Sequence, residues 1–358
     1  MEDKNESQTQ KEVKDLTQIA IRLLRVLKSI LKSIQDLKIS KSKNNSVFKG
    51  TPYGIELGGM LFEQVEEDIV ALYTTVNLLD SDVNAFPIVQ LDNSNFEVYE
   101  KKKGGKLKQA EIVKVIPVGD SIEITIILAI DTSASMNNDY KINHAKKAAI
   151  ELVKRLLLLS KEAKLYIAIY PFNSNNKKGF INFGNERVWS NNFEEIQKTI
   201  SRLVAEGDTP LYDALSFSIE HIERFKGYKA IICLSDGEEN NSTETQYQDL
   251  IDKGINSRIP VYSIGYGKDE YLDFLVNFSK ITNAGEEGIG SFMKVSPENL
   301  PNIFGYLAGA VTNIYGIYWK PTNKSKETPT KYNININYET KSFGEIQVAF
   351  EDFEYQLK

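Results

Sequence analysis

The stretch "LAIDTSASMNN" (128–138) sets an aspartate and two serines at alternate positions directly after an apolar run. Asp131, Ser133 and Ser135 could serve either of two chemistries. An aspartate at a strand end can act as a nucleophile in phosphoryl transfer. The same short oxygen side chains can instead line a nest for a hard divalent cation. Two further segments carry groups of the same kind: "AEGDTPLYDAL" (205–215) offers Thr209, and "LSDGEEN" (234–240) offers Asp236. Hydroxyls and carboxylates without imidazole or thiolate suit Mg²⁺ or Mn²⁺ in octahedral geometry with several waters retained. Two carboxylates nearly balance such an ion and leave it electrophilic toward one more anionic oxygen.

The enzymatic alternative is a metal-dependent phosphotransferase or phosphohydrolase with Asp131 as the phosphoryl acceptor. Such enzymes commonly carry an acid two residues on, where this chain has Ser133, and they need a positioned lysine. No lysine is expected beside the strand ends. The plainest alternative is that the serines and aspartates only cap helices and turns.

Other reactive side chains are scarce. The single cysteine, Cys233, excludes an intramolecular disulfide and a multi-cysteine zinc site, and inside "AIICLSD" it reads as a buried core thiol. The two histidines, His144 and His221, lie in helical stretches and read as packing or surface residues. Gly265 and Gly267 in "SIGYGKDE" lack the third glycine of a dinucleotide fingerprint, so a strand-to-helix turn suffices. A formal net charge of −6 lacks the basic footprint of a nucleic-acid binder, and "EKKKGGKLK" (100–108) reads as a solvated hairpin tip.

The elements that must position the oxygen groups alternate from residue 122 onward. "IEITIILAID" is a continuous apolar run, as expected of a strand buried on both faces of a sheet. A helix over 142–159, a strand over 163–174, helices near 191–204 and 211–226, and a strand over 228–236 follow. A helix near 244–254, a strand over 259–267, a helix from Asp269, the strand "GSFMKVS" and the helix "PENLPNIFGYLAGAV" complete the series. Such alternation predicts a doubly wound, Rossmann-like α/β fold with a mostly parallel sheet, and it puts the ligand site at the carboxyl ends of the strands.

Together these segments resemble the von Willebrand factor type A family with its metal-ion-dependent adhesion site. The family's Asp-x-Ser-x-Ser is "DTSAS", its threonine matches Thr209 in "GDTPLYDAL", and its later aspartate matches Asp236 in "SDGEEN". The resemblance covers about 122–312 in element order and implies a non-enzymatic, Mg²⁺- or Mn²⁺-dependent protein-binding module. It implies that Ser133, Ser135 and Thr209 bind the metal through their hydroxyls and that Asp131 and Asp236 act mainly through bound waters. One coordination position is then left for an Asp or Glu carboxylate of a protein partner. Asp208 departs from the family, many of whose members have glycine before the threonine; the added carboxylate either lies near the ion or faces water.

The flanks have a different character. "IVALYTTVNLLDSD" (69–82), "NAFPIVQL", "NFEVYEKKKGGK" and "AEIVKVIPV" are short β runs with no helix among them, and "NIYGIYWKP", "TKYNININYE" and "GEIQVAFEDFEY" return to that pattern after Val311. They resemble the β-rich surroundings of some bacterial members of the family. At the start, Leu16, Ala20, Leu23, Leu27, Ile30, Ile34 and Leu37 form an a/d seam opposite Arg22, Arg25, Lys28, Lys32 and Lys38. This amphipathic helix over 16–38 could support self-association, making the chain a self-assembling structural subunit, or weak attachment to an anionic membrane surface. The expected organisation is therefore a polar start and basic helix over 1–45 and a β-rich flank over 46–120. The α/β domain spans 121–312, and a second β-rich flank over 313–358 completes one β domain around it. No secretory leader is expected in "MEDKNESQTQKEVKD", and no run reaches the roughly 18 apolar residues of a membrane span, so the expected location is cytoplasmic.

Overall fold

A computed structural model describes residues 54–79, 85–88, 90–102, 105–117, 123–159, 164–176, 179–266, 269–282, 284, 290–292, 294, 303, 307–308, 311, 313–340 and 344–357. The helix expected over 16–38 lies outside the described residues. The chain divides into two compact units, Pro52–Tyr338 with Ile346–Lys358 and Met1–Thr51 with Glu339–Glu345; of the latter only the ends of two strands are described.

The larger unit is built around a parallel sheet. Its strands are β7 (Ile124–Asp131), β8 (Leu165–Phe172), β9 (Tyr228–Ser235), β10 (Val261–Gly265) and β11 (Ser291–Phe292), in the order β11-β10-β9-β7-β8. Each neighbouring pair is parallel. All eight residues of β7 and of β9 are buried, because helices cover both faces and no strand residue has a wet side. The helices are α1 (Lys141–Leu159), α2 (Phe193–Ser201), α3 (Leu211–Glu223), α4 (Tyr247–Ser257) and α5 (Asp269–Ile281). This is the α/β architecture that the sequence predicts. The last expected helix falls largely outside the described residues, although Ile303, Leu307, Ala308 and Val311 within it are helical.

One boundary differs for a physical reason. The pattern predicts a helix from about 244, but α4 starts at Tyr247. The buried carboxylate of Asp213, on α3, accepts hydrogen bonds from Thr243 N (2.9 Å), Glu244 N (3.1 Å) and Thr245 N (2.7 Å). Those amides are thereby held in a loop that clasps α3, and the helix begins once they are spent.

The antiparallel part comprises β1 (Gly54–Glu66), β2 (Ile69–Leu79), β3 (Ala85–Pro87), β4 (Phe96–Lys102), β5 (Lys108–Gln109), β6 (Glu111–Pro117), β12 (Ile314–Lys320), β13 (Thr330–Thr340) and β14 (Gly344–Tyr355). One sheet runs β1-β2-β12-β6 with β3 beside β2, and a second runs β14-β13-β4-β5. Strands from before and after the parallel sheet are thus interleaved: β12 pairs with both β2 and β6, and β13 pairs with β4. The two sheets share an aromatic core in which Phe62 stacks on Tyr355 at 4.2 Å, with Trp319 and Tyr332 against them. Strand β1 has no counterpart in the sequence reading, because its "GG" breaks the alternation. At Gly59 the chain takes φ +58° in a bulge, and a Cβ there would collide with the hydroxyls of Tyr228 and Tyr262 at the start of β9 and β10. The antiparallel sheet therefore lies with its backbone directly against the amino-terminal edge of the parallel one. Among the described residues no helix is long and apolar enough to cross a membrane.

Candidate metal centre

Asp131 is the last residue of β7, Asp236 directly follows β9, and Thr209 lies in the loop before α3. All three stand at the carboxyl rim of the parallel sheet, as do Ser133 and Ser135 in the turn after β7. The turn is fastened to its surroundings by backbone hydrogen bonds. Thr132 N donates to Phe172 O at the end of β8 (3.0 Å), Ala134 N to Gly207 O (2.8 Å), and Glu206 N to Thr132 O (2.7 Å). Asn137 Nδ2 adds a bond to Ala205 O (3.0 Å), and Met136 is fully buried beneath the turn. The loops carrying Ser133 and Thr209 are therefore zipped together. Gly207 is required for this: it takes φ +70°, and a Cβ would collide with Ser174 Oγ, which accepts from Asp208 N at 2.9 Å.

The third loop is tied to the second. Thr209 N donates to Asn240 Oδ1 (2.7 Å), while Asn240 N and Asn241 N donate back to Thr209 O (3.1 and 3.2 Å). Glu239 reinforces the loop by accepting from Tyr212 N (2.8 Å) in the first turn of α3 and from Ser242 N (2.7 Å) in its own loop.

Within this frame the oxygen groups divide by occupancy. Asp131 is completely buried, and both of its carboxylate oxygens are engaged: Oδ1 accepts from Ser133 N (2.9 Å) and Oδ2 from Ser235 Oγ (2.6 Å). Burial pushes its carboxyl up to about 6 against the pull of the Ser133 and Ser235 hydrogen bonds, and the charge of Asp236 adds to the rise. Ser133 Oγ and Ser135 Oγ lie 3.0 Å apart. Thr209 Oγ1 and Asp236 Oδ1 are buried and have no hydrogen-bond partner. A buried hydroxyl and a buried carboxylate oxygen left unpaired are costly unless something else binds them.

This donor set fits a hard divalent cation: two mutually repelling carboxylates and three hydroxyls at one rim, with one oxygen of each kind buried and unpaired. Among the described residues no three His, Cys, Asp or Glu side chains are grouped to hold a metal, so a centre here depends on the hydroxyls. Cys233 is buried inside β9 with its thiol pushed well above the ordinary range by desolvation, an inert packing residue. His221 packs among Phe180, Trp189 and Phe217 on the flank of the sheet. Asp208 is exposed, and its carboxylate accepts from Asn241 Nδ2 at 3.4 Å, so of the two alternatives it faces water.

One expectation is corrected. A lysine does stand beside the strand ends: Lys141 Nζ lies 2.8 Å from Asp236 Oδ2. The sequence hides it because Lys141 is ten positions past Asp131 and reaches the rim only through the backbone kink before α1. Ser235 and Asn240, which hold Asp131 and Thr209, were equally unmarked. Their only sequence signal is proximity to Asp236.

A family model described as the von Willebrand factor type A domain matches residues 125–304. The chain is 27% identical over 221 residues to the thrombospondin-related anonymous protein of Plasmodium falciparum, a match covering 58% of this chain and 38% of that protein. It thus spans well under half the length of that relative. Among solved structures, the PilB minor pilin of Streptococcus sanguinis is similar at 14% identity and a TM-score of 0.41, covering 72% of this chain and 79% of that one. The vWF domain of the type V pili tip protein Mfa5 from Porphyromonas gingivalis is similar at 15% identity and a TM-score of 0.41, covering 52% of this chain and 94% of that one.

Proposed function

The chain belongs to the von Willebrand factor type A family, and from that premise we propose that its rim is a Mg²⁺- or Mn²⁺-dependent docking site for an acidic side chain of a protein partner, with no catalytic turnover. The observation that carries this reading is the pair of unpaired buried oxygens, Thr209 Oγ1 and Asp236 Oδ1, at the same sheet rim as the Ser133–Ser135 hydroxyl pair. Ser133, Ser135 and Thr209 would offer neutral hydroxyl ligands. Asp131 and Asp236 would supply the negative charge, Asp131 being held in place by Ser133 N and Ser235 Oγ. The cation, when bound, supplies the positive charge that an Asp or Glu carboxylate of the partner recognises. Neutral ligands keep that charge only partly balanced, which favours an anionic partner over a neutral one.

Phosphoryl transfer through Asp131 fits less well. Each oxygen of that carboxylate already accepts a hydrogen bond and the side chain is fully buried, so it is fixed in place and not exposed to an incoming phosphorus. The nearby lysine is paired to Asp236 rather than to Asp131.

The test is a calorimetric titration of the full chain with Mg²⁺ and Mn²⁺, run beside an Asp131→Ala variant, with partner capture in Mg²⁺ and in EDTA. Saturable uptake that Asp131→Ala abolishes, with capture lost in parallel, supports the reading. Ser133→Ala should weaken uptake less, because water can replace a neutral hydroxyl. Absence of divalent uptake by the intact protein, or acyl-phosphate labelling at Asp131, overturns it.

A further inference from the structure

Lys141 and Asp236 form a close pair, Nζ to Oδ2 at 2.8 Å, with side chains 18% and 3% exposed. The other oxygen of the same carboxylate is buried and unpaired. One oxygen of the carboxylate is thus held by an internal ammonium and the other is held by nothing. Lys141 is also the first residue of α1, the positive end of the helix dipole, where a cation is electrostatically disfavoured. Its position therefore has to be explained by what its amine meets.

The backbone leading to it is strained. Between the serine turn and α1, Asn138 is extended (ψ 138°), while Asp139 and Tyr140 take φ of 52° and 57° in succession. Two consecutive left-handed residues that are not glycine carry a steric cost. Tyr140, 73% exposed, gains no burial in return. What the kink achieves is to start α1 at a point from which a lysine reaches the rim.

We infer that Lys141 is a tethered cation that occupies Asp236 when no divalent ion is bound and competes with that ion for it, so that it sets the affinity of the centre. This inference rests on the metal-centre reading above. Asp131 and Asp236 are both buried and their charges repel, and the ammonium limits that repulsion when no divalent ion is bound. A divalent ion must displace it. The long, partly exposed lysine stem lets the amine swing into water when the ion takes over the carboxylate.

Calorimetry of the full chain, comparing the unaltered protein with Lys141→Met and Lys141→Arg, tests this. Lys141→Met should bind Mg²⁺ about tenfold more tightly, the effect of removing one charge within a few ångströms. Lys141→Arg, which keeps the charge, should stay near the original affinity. Equal affinity in all three overturns the role of the lysine and leaves the metal centre standing; no uptake in any of them overturns both. Should Lys141→Met not fold, amine acetylation of the unaltered protein, read peptide by peptide by mass spectrometry, decides the matter. Labelling of Lys141 should rise several-fold with saturating Mg²⁺ and stay flat in Asp131→Ala. Labelling unchanged by Mg²⁺ that calorimetry shows to be bound overturns the inference.

Discussion

Thr209 and Asn240, on different loops, hold each other reciprocally: Thr209 N donates to Asn240 Oδ1 at 2.7 Å, and Asn240 N donates to Thr209 O at 3.1 Å. The second bond uses backbone only, so the side-chain amide decides how firmly the threonine is presented. Asn240→Ala should leave the fold intact, lower stability by about 1 kcal/mol for one lost hydrogen bond, and weaken divalent uptake. Asn240→Asp, which keeps the acceptor, should preserve the geometry. Paired calorimetry and melting curves check both; a stability loss without loss of metal affinity would reduce Asn240 to a structural role.

Gly207 sits where a side chain cannot. Its φ of +70° and the collision of a Cβ with Ser174 Oγ predict that Gly207→Ala destabilises by about 1–3 kcal/mol. The same change should loosen the junction of the Ser133 and Thr209 loops, since Gly207 O accepts from Ala134 N. Chemical denaturation with and without Mg²⁺ measures the two effects. An unchanged midpoint would mean that the loop relaxes freely.

His221 carries a pH dependence. Burial among aromatic rings is the larger influence and the neighbouring Arg224 charge the smaller; both lower its ionisation below the ordinary 6.5. The folded state then binds a proton less readily than the unfolded one. Its contribution to stability is present above pH ~6.5 and is lost as pH falls from there toward the depressed folded value. His221→Phe should flatten that part of the melting profile while leaving the neutral-pH stability within about 1 kcal/mol. A profile of the same slope in the variant would assign the pH sensitivity to other groups.

Glu100 anchors the antiparallel part. Its buried carboxylate accepts from Trp319 Nε1 (2.6 Å), Tyr355 Oη (2.6 Å), Thr322 N (2.5 Å) and Thr322 Oγ1 (2.7 Å). Glu100→Ala would strand the buried donors of Trp319 and Tyr355 and should destabilise by on the order of 3 kcal/mol. Hydrogen exchange should rise in β4 and β12 before it rises in β7 or β9. Uniform loss of protection throughout would show that both sheet systems melt as one cooperative unit.

How much of this was legible in the residues differs from feature to feature. The strands β7 and β9 and the helices α1 and α3 follow from local periodicity, because each element must bury its own apolar face whatever lies beside it. The five oxygen residues of the rim were visible for a related reason: strand ends are readable, and ligand sites in open α/β sheets gather there. Strand β1 was not, since its bulge glycine is explained only by Tyr228 and Tyr262, residues far along the chain.

Sequence by itself determined the alternation of elements and therefore the edge of the sheet to which Asp131, Ser133, Ser135, Thr209 and Asp236 belong. Only the tertiary structure decided which of their oxygens are spent. It pairs both oxygens of Asp131, leaves Thr209 Oγ1 and Asp236 Oδ1 bare, and sets Lys141 against Asp236. The reason is physical. Burial periodicity is a property of neighbours along the chain, whereas a hydrogen bond or an ion pair depends on where a backbone kink and a neighbouring strand place two atoms, and no spacing rule encodes that distance.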